Sequence, residues 1–552
     1  MEITNFIKLY EKSFRENWEL PALSDYVTGK TINYSELAIN IAKMHLLFNN
    51  MGIKPGAKIA ICGRDSMNWV MVYLATVTYG AVIVPILAEF NPHDVTHIVN
   101  HSEAELLFVS KSVWEPMEPD MLLNLKGVLS IEDFKCLEER PGFEMNRTLR
   151  LLTRRFRSLY PHGYRPENVC YIDRDNSEVV EINYTSGTTG FSKGVMLTGE
   201  NLAGNVCFGI DTQLHFRSSR ALAFLPMAHA YGCAFDMLTP MAVGSHVTIL
   251  GKIPSPRILI QAMNQVRPNL VICVPLILEK IYKNQILPMI SKGAVRWTLA
   301  VPFLDSYIYA KIRRKLVDAF GGNFEQVIVG GAPLNHEVEE FLHKIKFPFT
   351  VGYGMTECAP LITYAPWDEQ RPGSCGRIVD RMEARIDSPD PANVPGVLYV
   401  RGANVMKGYY KNPEATAGAL DKDGWLNTGD ICSMDADGFL TIRGRDKSMI
   451  LGPSGQNIYP EEIEQKLNSM LYVDESLVVD DDNKLVALIY PDFDNAHKAN
   501  LTDADIEQQM QHNIDQLNTE LPAYSRISRM RILHEEFEKT PKRSIKRYLY
   551  QH

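Results

Sequence analysis

Between Trp69 and Ala88 the chain has no charged residue, a run long enough as a helix to cross a bilayer. Gly80 and Pro85 interrupt it, and the composition changes at Gly80. The pattern therefore predicts a buried helix over 67–79, Gly80 as its C-terminal cap, and a buried strand over 81–84 that Pro85 ends. Lys58–Gly63 and Leu106–Ser110 also read as strands. The first 175 residues thus alternate strand and helix in the manner of parallel βαβ units. Val179–Asn183 and Gln326–Val329 are further strands, and 300–322 is a helix with cations near the negative end of its dipole. Beyond residue 446, Pro460 with its acidic first turn starts a helix. Strand-like 475–479 and 485–490 and a helix near 503–519 complete a small α+β unit.

At 552 residues the chain is too long for one core, and 45% hydrophobic with 22% charged residues is ordinary for a soluble enzyme. The formal charge of −9 gives no global basic field for nucleic acid, so anionic ligands must meet local cations and amides. Nine cysteines without a Cys-x-x-Cys pair point to a reducing cytosol, and the first residues lack a signal pattern. These features predict a cytoplasmic protein with at most peripheral membrane contact. Residues 147–160 are locally basic, with Arg147, Arg150, Arg154, Arg155 and Arg157 among leucines. They read as a solvated helix between subdomains, with a helix resting on anionic lipid as the alternative.

The densest chemistry lies from Tyr184 to Met196, where three glycines, five aliphatic hydroxyls and Lys193 follow a strand. Glycines let successive amides turn inward as an anion nest, and lysine adds a point charge suited to phosphate. The order Ser-Lys-Gly is not the Gly-Lys-Ser/Thr of P-loop NTPases. The stretch resembles the phosphate loop of the adenylate-forming superfamily, which includes acyl-CoA synthetases, peptide-synthetase adenylation domains and luciferases.

Further motifs follow in that family's order. They are Phe224–Gly232, Gly330-Gly331-Ala332-Pro333-Leu334, Gly352-Tyr353-Gly354-Met355-Thr356-Glu357, Gly408–Glu414, Trp425–Asp430 and Arg443–Lys447. The text 453–464 is similar to that of long-chain fatty-acid–CoA ligases. The resemblance implies an α/β protein with the adenylate-forming-enzyme fold. It would have a large N-terminal adenylation domain of βα subdomains over 1–445 and a small mobile C-terminal α+β lid over 446–552.

It also implies ATP, Mg²⁺ and coenzyme A as cofactors and a fatty acid, long-chain by the 453–464 text, as substrate. Acyl-AMP would form first with release of pyrophosphate, then acyl-CoA with release of AMP. Thr185, Ser186, Gly187, Thr188, Thr189, Gly190 and Lys193 would hold the β- and γ-phosphates. Gly331, Ala332 and Pro333 would be the adenine shelf, with Tyr353 and Gly354 beside it. Thr356 would contact the α-phosphate and Glu357 would hold Mg²⁺, which takes a carboxylate or two plus substrate phosphates. Asp430 and Arg445 would take the ribose, Lys447 would be the hinge and His229 would gate the acyl pocket.

At the tail, the position of the family's catalytic lysine carries Ser544, which leaves Lys546, or else Lys542, as the catalytic lysine. Phe235-Asp236 sits out of register for the pair that holds an α-amino group, so Asp236 is read as unrelated. The Asp-x-Asp-Gly pieces at 421–424 and 435–438 are read as turns. Alternatives are an aryl- or other carboxylate-adenylating ligase, and a nucleotide- or acyl-AMP-binding homologue without turnover.

Overall fold

The computed structural model describes residues 3–185, 193–290, 304–451, 457–481, 484–540 and 544–550. The uncharged run folds as expected at its start. Helix Met67–Tyr79 is capped by the Ser66 side chain, which accepts from the Trp69 amide, and ends on Gly80 at φ 88°. Ten of its thirteen residues are buried, so its apolar surface is spent on the protein core. No helix among the described residues is long and apolar enough to cross a membrane. Pro85 does not end the next strand, which runs Val82–Ile86 with Pro85 opposite Ile61. On the other side that strand makes a single bridge, Ile83 to Glu181, so the missing N–H falls where the ladder has thinned out.

Five parallel strands form the middle of an eight-stranded sheet, in the order Val179–Thr185, Val82–Ile86, Lys58–Cys62, Ala104–Val109 and Gly127–Ser130. Their near-continuous apolar sequences suit a sheet buried on both faces. Lys193–Thr198 and then Gly408–Tyr409 add antiparallel strands at one edge. A second sheet has seven strands, parallel except for its edge strand Thr31–Asn33, and includes Gln326–Val329 and Phe349–Val351. A third, four-stranded antiparallel sheet carries Leu426–Met434 against Leu440–Arg445. One hydrophobic cluster runs through these layers, from Phe6 to Leu440. Glu181 ties the first sheet to the buried helix: its carboxylate accepts from the Tyr73 hydroxyl and, at 2.8 Å, from the Asn183 amide.

The C-terminal residues build separate cores. Strands Val473–Asp481, Lys484–Pro491 and Arg529–Ile532 form one sheet. Period-two alternation splits its apolar residues between two faces. Val478, Leu485, Ala487 and Ile489 face helices Pro460–Asn468 and Asp503–Glu520, while Leu477, Val479, Val486 and Leu488 pack with Phe537, Ile545 and Tyr550 of the tail. The two Asp-x-Asp-Gly pieces are turns, in which Asp421 and Asp435 each accept two amides from residues two and four ahead.

Buried Glu339, on helix His336–Lys344, gives a stability prediction. Burial pushes its carboxyl up to about 7, although the Gly373 amide donates to it at 3.0 Å. Its folded value lies above its unfolded one, so the stability linked to the neutral acid is full below about pH 4.5 and is lost as pH rises through about 7. At one pH unit per 1.36 kcal/mol the loss is about 3 kcal/mol. Glu339→Gln should therefore melt higher than the parent at about pH 8, and the gap should close toward about pH 4.5. A melting difference that is constant over that range contradicts the assignment.

Candidate functional site

The two strands that flank the phosphate-loop residues pair antiparallel. Thr185 pairs with Lys193 and Tyr184 with Gly194, so the strands deliver both ends of the loop side by side. Ser186, Gly187, Thr188, Thr189 and Gly190 lie outside the described residues. The Lys193 ammonium stands 4.9 Å from the centre of the Tyr409 ring, a cation–π contact. Tyr409 comes from the edge strand antiparallel to Lys193–Thr198, and its hydroxyl donates to Glu357 Oε1 at 2.9 Å. Burial, then Glu357, pushes the Tyr409 phenol well above its usual value, so it stays a donor. Lys193 and Glu357, 164 residues apart, are thus bridged by one tyrosine. Thr356 and Glu357 both lie on the 3₁₀ turn Thr356–Cys358, half-buried.

The second constellation lies where the sheets meet. Tyr353 donates its hydroxyl to Asp430 Oδ2, and Arg445 Nε lies 2.8 Å from Asp430 Oδ1. Strand register puts Asp430 directly opposite Arg445. Asp430 is only 2% exposed, whereas the Arg445 side chain is 57% exposed, so the guanidinium keeps its water. Burial is the larger influence on Asp430 and raises its pKa; Arg445 and the Tyr353 hydrogen bond act in the opposite direction.

Beside this trio, strand Gln326–Val329 ends in Gly330-Gly331-Ala332-Pro333. Gly331 has φ 89°, and Gly331, Ala332 and Pro333 are exposed. A side chain on Gly354 would strike the Pro360 carbonyl, so only glycine lets the strand after Tyr353 lie so close. The sequence placed these three stretches together only through resemblance. The structure brings them together physically.

An apolar cleft of about 60 Å³ adjoins the shelf, lined by Phe208, Leu214, Tyr231, Phe235, Ile328 and Tyr364 with Gly330, Gly331, Tyr353 and Gly354. His229 is half-buried at the start of the short helix that carries Tyr231. Asp236, next to the cleft-lining Phe235, is buried within a π-helical turn, and one of its oxygens lacks a partner among the described residues. Burial, with Asp65 nearby, holds its pKa well above the usual value.

Among the described residues, the bonds of Lys546 and Arg547 go to C-terminal residues and not to these groups. Lys546 Nζ lies 3.3 Å from Glu538 of its own turn, and Lys542 is outside the described residues. The neighbouring Arg547 makes a two-pronged bond to Glu464, at 2.8 and 2.7 Å, and donates to the Val478 carbonyl. The sequence assigns no contact to Tyr409 or to Arg547, although Arg547 with Ile545 aligns the tail on the family's pattern. For Tyr409 the available signal was its place in the Gly-Tyr-Tyr-Lys-Asn-Pro-Glu motif. Lys447 is exposed on the 3₁₀ turn Asp446–Ser448, between the last strand of the third sheet and the C-terminal cores.

Residues 10–410 match the family model for AMP-binding enzymes, and 447–551 match the model for their C-terminal domain. The chain belongs to the AMP-binding enzyme family. This AMP-binding enzyme is 28% identical to the long-chain-fatty-acid–CoA ligase FadD15 of Mycobacterium bovis, over 94% of this chain and 90% of that one. It is equally 28% identical to 4-coumarate–CoA ligase 1 of Arabidopsis thaliana, over 84% of this chain and 79% of that protein. Its fold matches ATP-bound MatB from Rhodopseudomonas palustris with a TM-score of 0.76 at 24% identity, covering 99% and 98% of the two chains. The AMP-binding enzyme is accordingly an adenylate-forming enzyme of the acid–CoA ligase class, with a large N-terminal α/β region and a small C-terminal one.

Proposed function

We propose that the enzyme activates a long-chain fatty acid with ATP, forming acyl-AMP and pyrophosphate, then acyl-CoA and AMP. The observation that carries this reading is the apolar cleft adjoining the Tyr353–Asp430–Arg445 trio. An aliphatic chain gains about 0.8 kcal/mol per buried methylene in such a lining. His229 stands as the gate of this cleft.

A carboxylate is a poor acyl donor because its leaving group would be oxide. In the first step its oxygen attacks the α-phosphorus of ATP, and the bond to the pyrophosphate oxygen breaks. Positioning and charge neutralisation do most of the work in such transfers. Here Asp430 and Arg445 take the ribose hydroxyls, and Arg445 also orients Asp430. The Gly331–Pro333 shelf and Tyr353 take the adenine, Thr356 the α-phosphate, and Lys193 with the 185–190 loop the outer phosphates. Glu357 would hold Mg²⁺. One of its oxygens is fixed by Tyr409, and among the described residues the other accepts no hydrogen bond. A single free carboxylate suits an ion that takes its other ligands from phosphate and water. When bound, Mg²⁺ neutralises charge on the phosphates.

Lys546, or Lys542, would bridge the fatty carboxylate and the phosphate. Lys546 must release Glu538 to do so, and a swing of residues 446–552 about Lys447 would carry it toward the phosphate. We place the domain boundary at 445/446, between the two sets of cores. The same swing admits the CoA thiol, whose sulfur attacks the acyl carbonyl as AMP leaves.

The test is exchange of labelled pyrophosphate into ATP with carboxylates from acetate to stearate, plus coumarate and amino acids. Exchange should peak among the long fatty acids. A peak at coumarate would replace the acyl assignment with the aryl one. No exchange from protein that binds ATP would favour the homologue without turnover, for which Ser544 is the motivating residue.

A further inference from the structure

From Met145 to Pro166 the chain has six arginines and no carboxylate, in a protein whose net charge is −9. The helix Met145–Leu159 seats Met145, Thr148 and Phe156 in the interior and packs Leu149 and Leu152 against the core. That fixes its rotation. Arg147, Arg150, Arg154 and Arg157, spaced three, four and three apart, fall on the opposite face, and all four are exposed. At 1.5 Å per residue they form a row about 15 Å long.

A solvated helix would ordinarily intersperse acids, because like charges at i,i+3 and i,i+4 repel. Here the neighbours are arginine against arginine. Arg147 has Glu144 at 2.7 Å, but among the described residues no carboxylate pairs with Arg150, Arg154 or Arg157. An external polyanion would relieve that repulsion.

We propose that this ridge docks the enzyme on an anionic lipid surface. The apolar groups among the guanidinium ions favour lipid over nucleic acid. Leu159 is 60% exposed, and with Leu46 and Leu151 it lines a shallow groove flanked by Arg154 and Arg155. These are aliphatic groups suited to the headgroup–acyl boundary, not the aromatic platforms on which bases stack. The acidic remainder of the molecule is repelled by the same surface, so one orientation is selected. The inference is independent of the acyl class.

The test is co-flotation of the full chain with phosphatidylcholine vesicles, with and without phosphatidylglycerol. The parent protein should bind the anionic vesicles and not the neutral ones, and about 0.5 M salt should release it. Each basic side chain near such a surface contributes about fivefold in affinity, so R150Q/R154Q/R157Q together should lose about a hundredfold. The variant's melting temperature and its pyrophosphate exchange should equal the parent's, because these arginines lie away from the nucleotide groups. Equal binding to neutral vesicles, or undiminished binding by the triple variant, overturns the proposal. So does binding to a single-stranded oligonucleotide without binding to anionic vesicles.

Discussion

Asp430→Ala should lower pyrophosphate exchange by about 10²–10⁴-fold while the protein remains folded. Asp430 is 2% exposed and its two oxygens already face donors, Tyr353 and Arg445. In the proposed complex it also accepts from the ribose, and hydrogen bonds to a charged group contribute about 1.5–3 kcal/mol each. Two such bonds give the stated factor at about 1.4 kcal/mol per tenfold. The fold should survive because the groups released are not sealed in: Arg445 is largely hydrated and Tyr353 is half-buried.

Asp430→Asn separates charge from shape and should fall between parent and alanine variant. It should also lose a pH effect. The parent's carboxyl is raised above the usual range, chiefly by burial, so its ionised form is lost earlier on acidification than an exposed aspartate's would be. The KM for ATP should therefore rise toward low pH in the parent, and the asparagine variant should lack that limb. Near-parent exchange by the alanine variant would sink the ribose assignment.

What the sequence made legible was what depends on near neighbours. Helix 67–79 could be read because an uncharged run broken by glycine has one economical folding, and Gly80 takes the left-handed cap that glycine permits. The strand over 179–183 was legible from its apolar run, but the antiparallel return strand Lys193–Thr198 was not. Pro85 misled because a residue's effect on a strand depends on whether a partner needs its N–H, and only tertiary pairing decides that.

The candidate site was legible only in pieces. The Tyr409 bridge exists because Gly408–Tyr409 pairs with a strand more than 200 residues earlier, and no local pattern encodes that. Asp430 and Arg445 face each other through antiparallel register. The ion pair of Arg547 was hidden for a similar reason. Its partner Glu464 is 83 residues away, and the tail is held by the second apolar face of a sheet whose alternation reads locally as an ordinary buried strand.

Glu357→Gln should reduce exchange by about 10²–10³-fold and, more tellingly, change its dependence on Mg²⁺. The substitution keeps the side chain's length and still lets Tyr409 donate to an oxygen, so the 3₁₀ turn and the link toward Lys193 persist. What is lost is the negative charge and the free carboxylate oxygen that would reach the ion. The concentration of Mg²⁺ giving half-maximal exchange should rise, and the plateau should stay low because the glutamine is a weaker ligand even at saturation. Tyr409→Phe is the companion variant. It removes one hydrogen bond to a charged group, worth about 1.5–3 kcal/mol, and leaves the charge in place. It should lose roughly ten- to a hundredfold in rate with a smaller shift in Mg²⁺ requirement. If Glu357 served only to hold Tyr409, the two variants would behave alike and the glutamine protein would titrate with Mg²⁺ as the parent does. Mg²⁺ titrations of exchange on the three proteins distinguish a carboxylate that meets the cation from one that only buttresses its neighbour.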